Sequence, residues 1–190
     1  MSIWTITRLK VVGRMLSREN TILRPLIKED LPYLNSWKND EDVYKFLGGG
    51  FMPVSISIQE KWLDQLMDTT QSNKRFMICD SEKEPIGMAG LYNIHPIHRT
   101  CEIGLFIGNK YENNKGHGTN TAHLLEKFAR DYLNIRKIRL LAVSENISAI
   151  KFWHKMNYLE IGKYKKERFI KGKYCDVTIM EKFIQTSEFL

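Results

Sequence analysis

The chain has 190 residues, 43% of them hydrophobic and 27% charged, with a formal net charge of +7. That length and balance give one domain with a proper core and exclude a disordered chain. No apolar run approaches the roughly 20 residues of a membrane-spanning helix, and the basic opening "MSIWTITRLKVVGRML" lacks the apolar run and small-residue cleavage site of a signal peptide.

Residues 1–19 read as a lead-in and 20–185 as a single domain, with no internal repeat or Pro/Ser-rich linker. "TILRPL" predicts a short strand closed by Pro25, and "KEDLPYLNSWKND" and "DEDVYKFL" predict short acidic helices. Gly48, Gly49 and Gly50 break the chain before "SIQEKWLDQLMDTT", where Trp62, Leu63, Leu66 and Met67 follow helical spacing. "KRFMICD" and "EPIGMAGLYNI" predict strands joined by a tight polar turn. "TCEIGLFIG" is apolar on both sides of Glu102, the pattern of a strand buried within a sheet. The helix that follows carries Leu124, Leu125, Phe128, Ala129, Tyr132 and Leu133 on one face. "KIRLLAV" predicts a buried strand and "NISAIKFWHKMN" a helix capped by Asn146. Two final strands flank a Lys171–Gly172 turn. The fold class is α/β, a mixed and mostly antiparallel central sheet flanked by helices. A doubly wound dinucleotide fold is excluded, because the glycine turn lacks a following ribose-binding acid.

Within "YENNKGHGTNTAHLLEKF" a glycine-punctuated turn opens directly into a helix. Alternate glycines let backbone approach a ligand, and the unpaired N–H groups of a first helical turn suit an anion such as a phosphate. The +7 charge suits nucleic acid, a membrane surface or a phosphorylated ligand. Much of it lies in "KYKKERFIKGKYCD", with no nucleic-acid-binding module beside it, so a solvated basic face is the reading there. Cys79, Cys101 and Cys175 are widely spaced, without Cys-x-x-Cys. They argue against a disulfide framework or a zinc site and fit a reducing cytoplasm.

Three motifs in order, "EIGLFIG", the glycine turn and "LLAVSENISAIKFWHKMNY", resemble the GNAT superfamily of acetyl-coenzyme A-dependent N-acetyltransferases. The branch with ribosomal-protein N-terminal and spermidine acetyltransferases is the most similar, over about residues 20–183. The resemblance implies the GNAT fold, acetyl-coenzyme A as co-substrate and no metal. It lays the family's pyrophosphate loop on Asn113, Asn114, Lys115, Gly116, His117 and Gly118, running into Thr119, with Asn113 departing from the usual Gln or Arg. Asn146 then bonds the pantetheine arm, and Lys155 lies near the outer phosphates. An oxyanion donor comes from the backbone of Leu105, Phe106 or Ile107. Trp153 stands where the family carries a tyrosine that protonates the leaving thiolate, and an indole N–H donates a hydrogen bond without serving as an acid.

Glu102 is the candidate general base, since a lone carboxylate in an apolar strand needs work or a partner. An ion pair with Arg99 or Arg139 is the alternative. By position alone His117 reads as a solvent-facing turn residue. His95 and His98, on the loop before the strand, are surface residues or touch the acceptor. Asp40, Glu41 and Asp42, with Glu60 and Asp64, suit a cationic amine; helix capping and a solvated face explain the same acids. The expected activity is acetyl transfer to a primary amine by direct attack in a ternary complex, on a polyamine-like amine, a protein N-terminus or an amino sugar. The alternatives are a coenzyme-binding module without catalysis and a nucleic-acid-binding protein. No membrane partner is expected, and the last strand is the edge on which a homodimer would form.

Overall fold

The computed structural model describes residues 16–68, 70 and 72–185. Most of the lead-in therefore lies outside the described residues. Strands β1 (Leu16–Arg18), β2 (Thr21–Pro25), β3 (Lys74–Cys79), β4 (Pro85–His95), β5 (Thr100–Ile107), β6 (Lys137–Val143), β7 (Leu159–Ile170) and β8 (Lys173–Phe183) form one sheet. Its spatial order is β1-β2-β3-β4-β5-β6-β8-β7, and only β5 and β6 run parallel. The helices are α1 (Leu31–Lys38), α2 (Glu41–Tyr44), α3 (Ile56–Met67), α4 (His117–Leu133) and α5 (Ile147–Lys155). No helix among the described residues is long and apolar enough to cross a membrane.

Both faces of the central strands β4 and β5 are covered, which is why they read as near-continuous apolar runs. Leu124, Leu125 and Ala129 of α4, Trp153 of α5 and Met156 just after it share one core with Ile103, Ile138, Leu140 and Met180. Leu34 and Trp37 of α1 and Leu63 of α3 make a second core with Met77 and Cys79. Trp62 and Tyr132 face outward, 44% and 70% exposed, against the expectation from their spacing. Both helices bury only one stripe, and these rings fall just off it.

The terminal hairpin turns through Lys171 and Gly172, both at positive φ, as a two-residue hairpin turn requires. The last strand is not an edge, however. β8 pairs with β6 on one side and β7 on the other, so β7 is the outer strand and is exposed over most of its length. Strand β1, three residues with a single apolar side chain, was not expected within the lead-in.

The parallel contact decides where the site lies. β5 and β6 pair only at Thr100–Lys137, Cys101–Ile138 and Glu102–Arg139. Beyond Glu102 the strands part: β5 continues beside β4 alone, and β6 continues beside β8. The parting leaves a wedge within the sheet, walled by strand edges with unpaired backbone groups.

Candidate active site

The Gly108 N–H donates to the Ile86 carbonyl at 2.8 Å, and the Arg99 carbonyl accepts from Arg136 N–H at 2.8 Å on the other edge. Because N–H and C=O alternate along a strand, Phe106 turns its amide toward β4. Leu105 and Ile107 turn theirs into the wedge. Of the three backbone donors expected from the sequence, the geometry leaves these two; Phe106 contributes its side chain. Buried N–H groups without a partner are uncommon, and here they face a cleft of about 720 Å³.

That cleft has four walls. Leu105, Phe106 and Ile107 form one; Asn113, Asn114, Gly116, His117, Gly118 and Thr119 form the second. Asn146, Phe152, Trp153 and Lys155 of α5 and its cap form the third, and Asp42, Val43, Lys45, Phe46 and Leu47 around α2 form the fourth. Glu102, Lys115, Asp40 and Glu41 are not among the lining residues.

The glycine turn is shaped for a ligand. Asn114 and Gly116 sit at φ 63° and 88°, a region asparagine tolerates and glycine occupies freely. A Cβ on Gly116 would meet nothing within 4 Å, so the space above it is open. Gly118 answers a different need. A Cβ there would lie 3.5 Å from the Phe152 ring and 3.9 Å from Leu105, so its lack of a side chain brings α4 close against α5 and β5. Gly116 offers no side-chain cap, and the first α4 amide to find a backbone partner is Asn120 N–H, bonded to Gly116 O at 3.0 Å. The N–H groups of His117, Gly118 and Thr119 thus meet the cleft with the helix dipole behind them. Such a turn has the geometry that suits an anion such as a phosphate.

Asn146 caps α5, its side-chain oxygen accepting from Ala149 N–H at 3.3 Å and Ser148 hydroxyl at 2.9 Å. Its amide nitrogen is left to donate. Trp153 is buried, its ring edge-on to Phe152 and Tyr158 with centroids 4.8 and 5.0 Å apart. Tyr158 is wholly buried beyond it, and burial pushes its phenol above the ordinary range. Asn157 takes φ 63° at the turn after α5, a region asparagine tolerates.

His117 is not solvent-facing. It is 2% exposed and bridges Thr21 Oγ1 on β2 at 2.9 Å to Glu112 Oε2 at 3.1 Å. The Glu102 side chain makes no hydrogen bond or ion pair with any described residue, so the expected ion pair with Arg99 or Arg139 does not form; the Arg99 side chain binds Asn134 instead. It shares a strand face with Phe106, and the Tyr92 ring fills the space above Gly104 between them. The acids are less free than the sequence suggests. Asp40 pairs with Lys110 at 3.1 Å, Asp42 with Lys45 at 3.2 Å and Lys110 at 3.6 Å, and Glu41 with Lys171 at 2.9 Å. Asp40 also caps α2 through Asp42 N–H. His95 and His98 stack on each other at 4.1 Å on an exposed turn and line no part of the cleft. Sequence reasoning missed Phe46 and Leu47. It also missed the brace holding their wall, Arg168 Nη1 donating to Phe46 O at 3.2 Å across 122 residues, which no local pattern signals.

The model of the Acetyltransferase (GNAT) domain matches residues 20–158. The chain belongs to the GNAT acetyltransferase family. It is an N-acetyltransferase, and as a member of this family it takes acetyl-coenzyme A as co-substrate. Spermidine N(1)-acetyltransferase of Escherichia coli K12 is 30% identical over 161 residues, covering 84% of each chain. Spermidine N(1)-acetyltransferase of Vibrio cholerae is 28% identical over 172 residues, covering 88% of this chain and 94% of that one. The crystal structure of the Vibrio cholerae spermidine N-acetyltransferase in complex with CoA and spermine superposes with a TM-score of 0.80 at 25% identity. It covers 87% of this chain and 96% of its own.

Proposed function

We propose that this N-acetyltransferase acetylates a polyamine of the spermidine class by direct attack in a ternary complex. The supporting observation is the 30% identity to a spermidine N(1)-acetyltransferase across 84% of both chains. The acidic rim is compatible with it. Asp40, Glu41 and Asp42 are paired with lysines near the surface, and such solvent-screened pairs are weak enough for an incoming ammonium group to replace.

Acetyl-coenzyme A supplies the acetyl group as a thioester. The N–H groups of His117, Gly118 and Thr119 hold its diphosphate, the Asn146 amide holds the pantetheine arm, and Lys155 lies by the outer phosphates. The Leu105 and Ile107 N–H groups face the wedge where the carbonyl oxygen gains charge during attack. Glu102 takes the ammonium proton through bridging water, since it lies outside the cleft lining and its backbone is three residues, about 10 Å, along the strand from Leu105. Trp153 lines the thioester end and donates a hydrogen bond there without giving up its proton.

Trp153→Tyr should raise the single-turnover rate about tenfold where the chemical step limits, because a phenol with a reference pKa near 10 can protonate the departing thiolate. The smaller ring should lower stability by about 1–3 kcal/mol. Rapid-quench and melting measurements separate the two. A stable, coenzyme-binding variant that turns over much more slowly would show that Trp153 shapes the acceptor pocket instead.

A further inference from the structure

The phosphate cradle has an unexpected neighbour. Glu112 lines the same cleft wall as the first turn of α4. A carboxylate beside a helix N-terminus is itself a good partner for the free N–H groups, so it would compete with, and repel, any diphosphate placed there. In this protein both Glu112 oxygens are already taken: Lys115 Nζ binds Oε1 at 2.9 Å and His117 Nε2 binds Oε2 at 3.1 Å.

His117 is itself fixed from behind. Its Nδ1 lies 2.9 Å from Thr21 Oγ1, and Asn120 Nδ2 donates to the same hydroxyl oxygen at 3.4 Å. Asn20 Nδ2 donates to Lys115 O at 3.2 Å, tying the loop to the β1–β2 turn. The carboxylate assigns the tautomer: Glu112, held ionised chiefly by Lys115, accepts, so Nε2 carries a proton. The Thr21 hydroxyl also faces Asn20 Oδ1 at 3.1 Å, so its one proton goes either there, with the oxygen accepting from Nδ1, or to Nδ1 itself.

We propose that His117 is a positioning residue that holds the Glu112 carboxylate off the α4 N-terminus and so keeps the cradle open to the coenzyme's diphosphate. It acts through Glu112, and Thr21 aims its ring. The inference rests on the coenzyme-binding reading of the cleft. A histidine here is not needed for packing alone, since an apolar side chain would fill a site that is 98% enclosed without the desolvation of two ring nitrogens.

The test uses the full chain and coenzyme A alone, titrated calorimetrically, so it does not depend on the acceptor. His117→Leu should weaken coenzyme A binding about tenfold. His117→Gln, which keeps a donor toward Glu112, should lose about threefold. The double variant His117→Leu, Glu112→Gln should return to within about threefold of wild type, because the freed competitor is now uncharged. In steady state the KM for acetyl-coenzyme A should follow these changes while kcat moves less than about twofold. If His117→Leu does not fold, Thr21→Val gives the same reading, about threefold weaker and restored by Glu112→Gln. A folded His117→Leu or Thr21→Val that binds as wild type overturns the proposal. So does a loss that Glu112→Gln leaves in place. Wild-type protein that fails to bind coenzyme A overturns the coenzyme-binding reading and the inference with it.

Discussion

Gly116→Asp should abolish measurable coenzyme A binding, a loss of more than about 100-fold, in a protein that still folds. Two effects combine at this residue. A carboxylate placed over the α4 N-terminus satisfies the very N–H groups that a diphosphate needs. It also repels that diphosphate: two like charges 4 Å apart cost about 4 kcal/mol at an effective dielectric near 20, about three orders of magnitude in affinity. The backbone contributes separately, because φ is 88° and a side chain there is strained by on the order of 1–3 kcal/mol. Gly116→Asn isolates that contribution, being equal in size, uncharged and tolerant of positive φ. Calorimetric titration should place the Asn variant well above the Asp variant in affinity. Equal losses would mean that charge plays no part and that no anion sits on this turn.

Glu102→Gln should lower turnover about 100-fold at pH 7 while leaving coenzyme A affinity within about twofold. Glutamine keeps the size and hydrogen-bonding reach of the side chain and removes only its ability to take a proton. An alkyl ammonium with a reference pKa near 10 is about 99.9% protonated at pH 7, so attack there depends on a base. Raising the pH supplies free amine directly. The sign is therefore fixed: the ratio of wild-type to variant turnover should fall steadily between pH 7 and 9.5. Turnover equal to wild type throughout would make Glu102 a structural acid, and the Tyr92 ring between it and Phe106 would then be its reason for isolation.

Local patterns carried much of this structure. The apolar run on both sides of Glu102 in "TCEIGLFIG" placed β5 inside the sheet, the Lys171–Gly172 pair placed the terminal hairpin, and Asn146 signalled the start of α5, because each depends on neighbours within a few residues. What depends on distant pairing was not legible. β8 lies inside the sheet because β6 recruits it across some forty residues, and nothing in its composition separates an inner strand from an edge. His117 is buried because Thr21 lies 96 residues away in sequence and beside it in space. The wedge between β5 and β6 is the plainest case. The strands that form it were both foreseen, but where they part is set by the register, with pairing ending at Glu102 and Arg139. The acidic cluster was foreseen as well, and its lysine partners were not, since Lys110 and Lys171 arrive from other elements.

Thiol release from acetyl-coenzyme A over an amine panel tests the proposed activity most directly. The panel comprises spermidine, spermine, a diamine, an amino sugar and a peptide with a free N-terminus, with products identified by mass. Spermidine and spermine should drive stoichiometric release of coenzyme A and gain one acetyl group on a primary amine, with the peptide and amino sugar near background. Binding of coenzyme A without amine-dependent release from any member, or release driven by the peptide and not by the polyamines, would contradict the account.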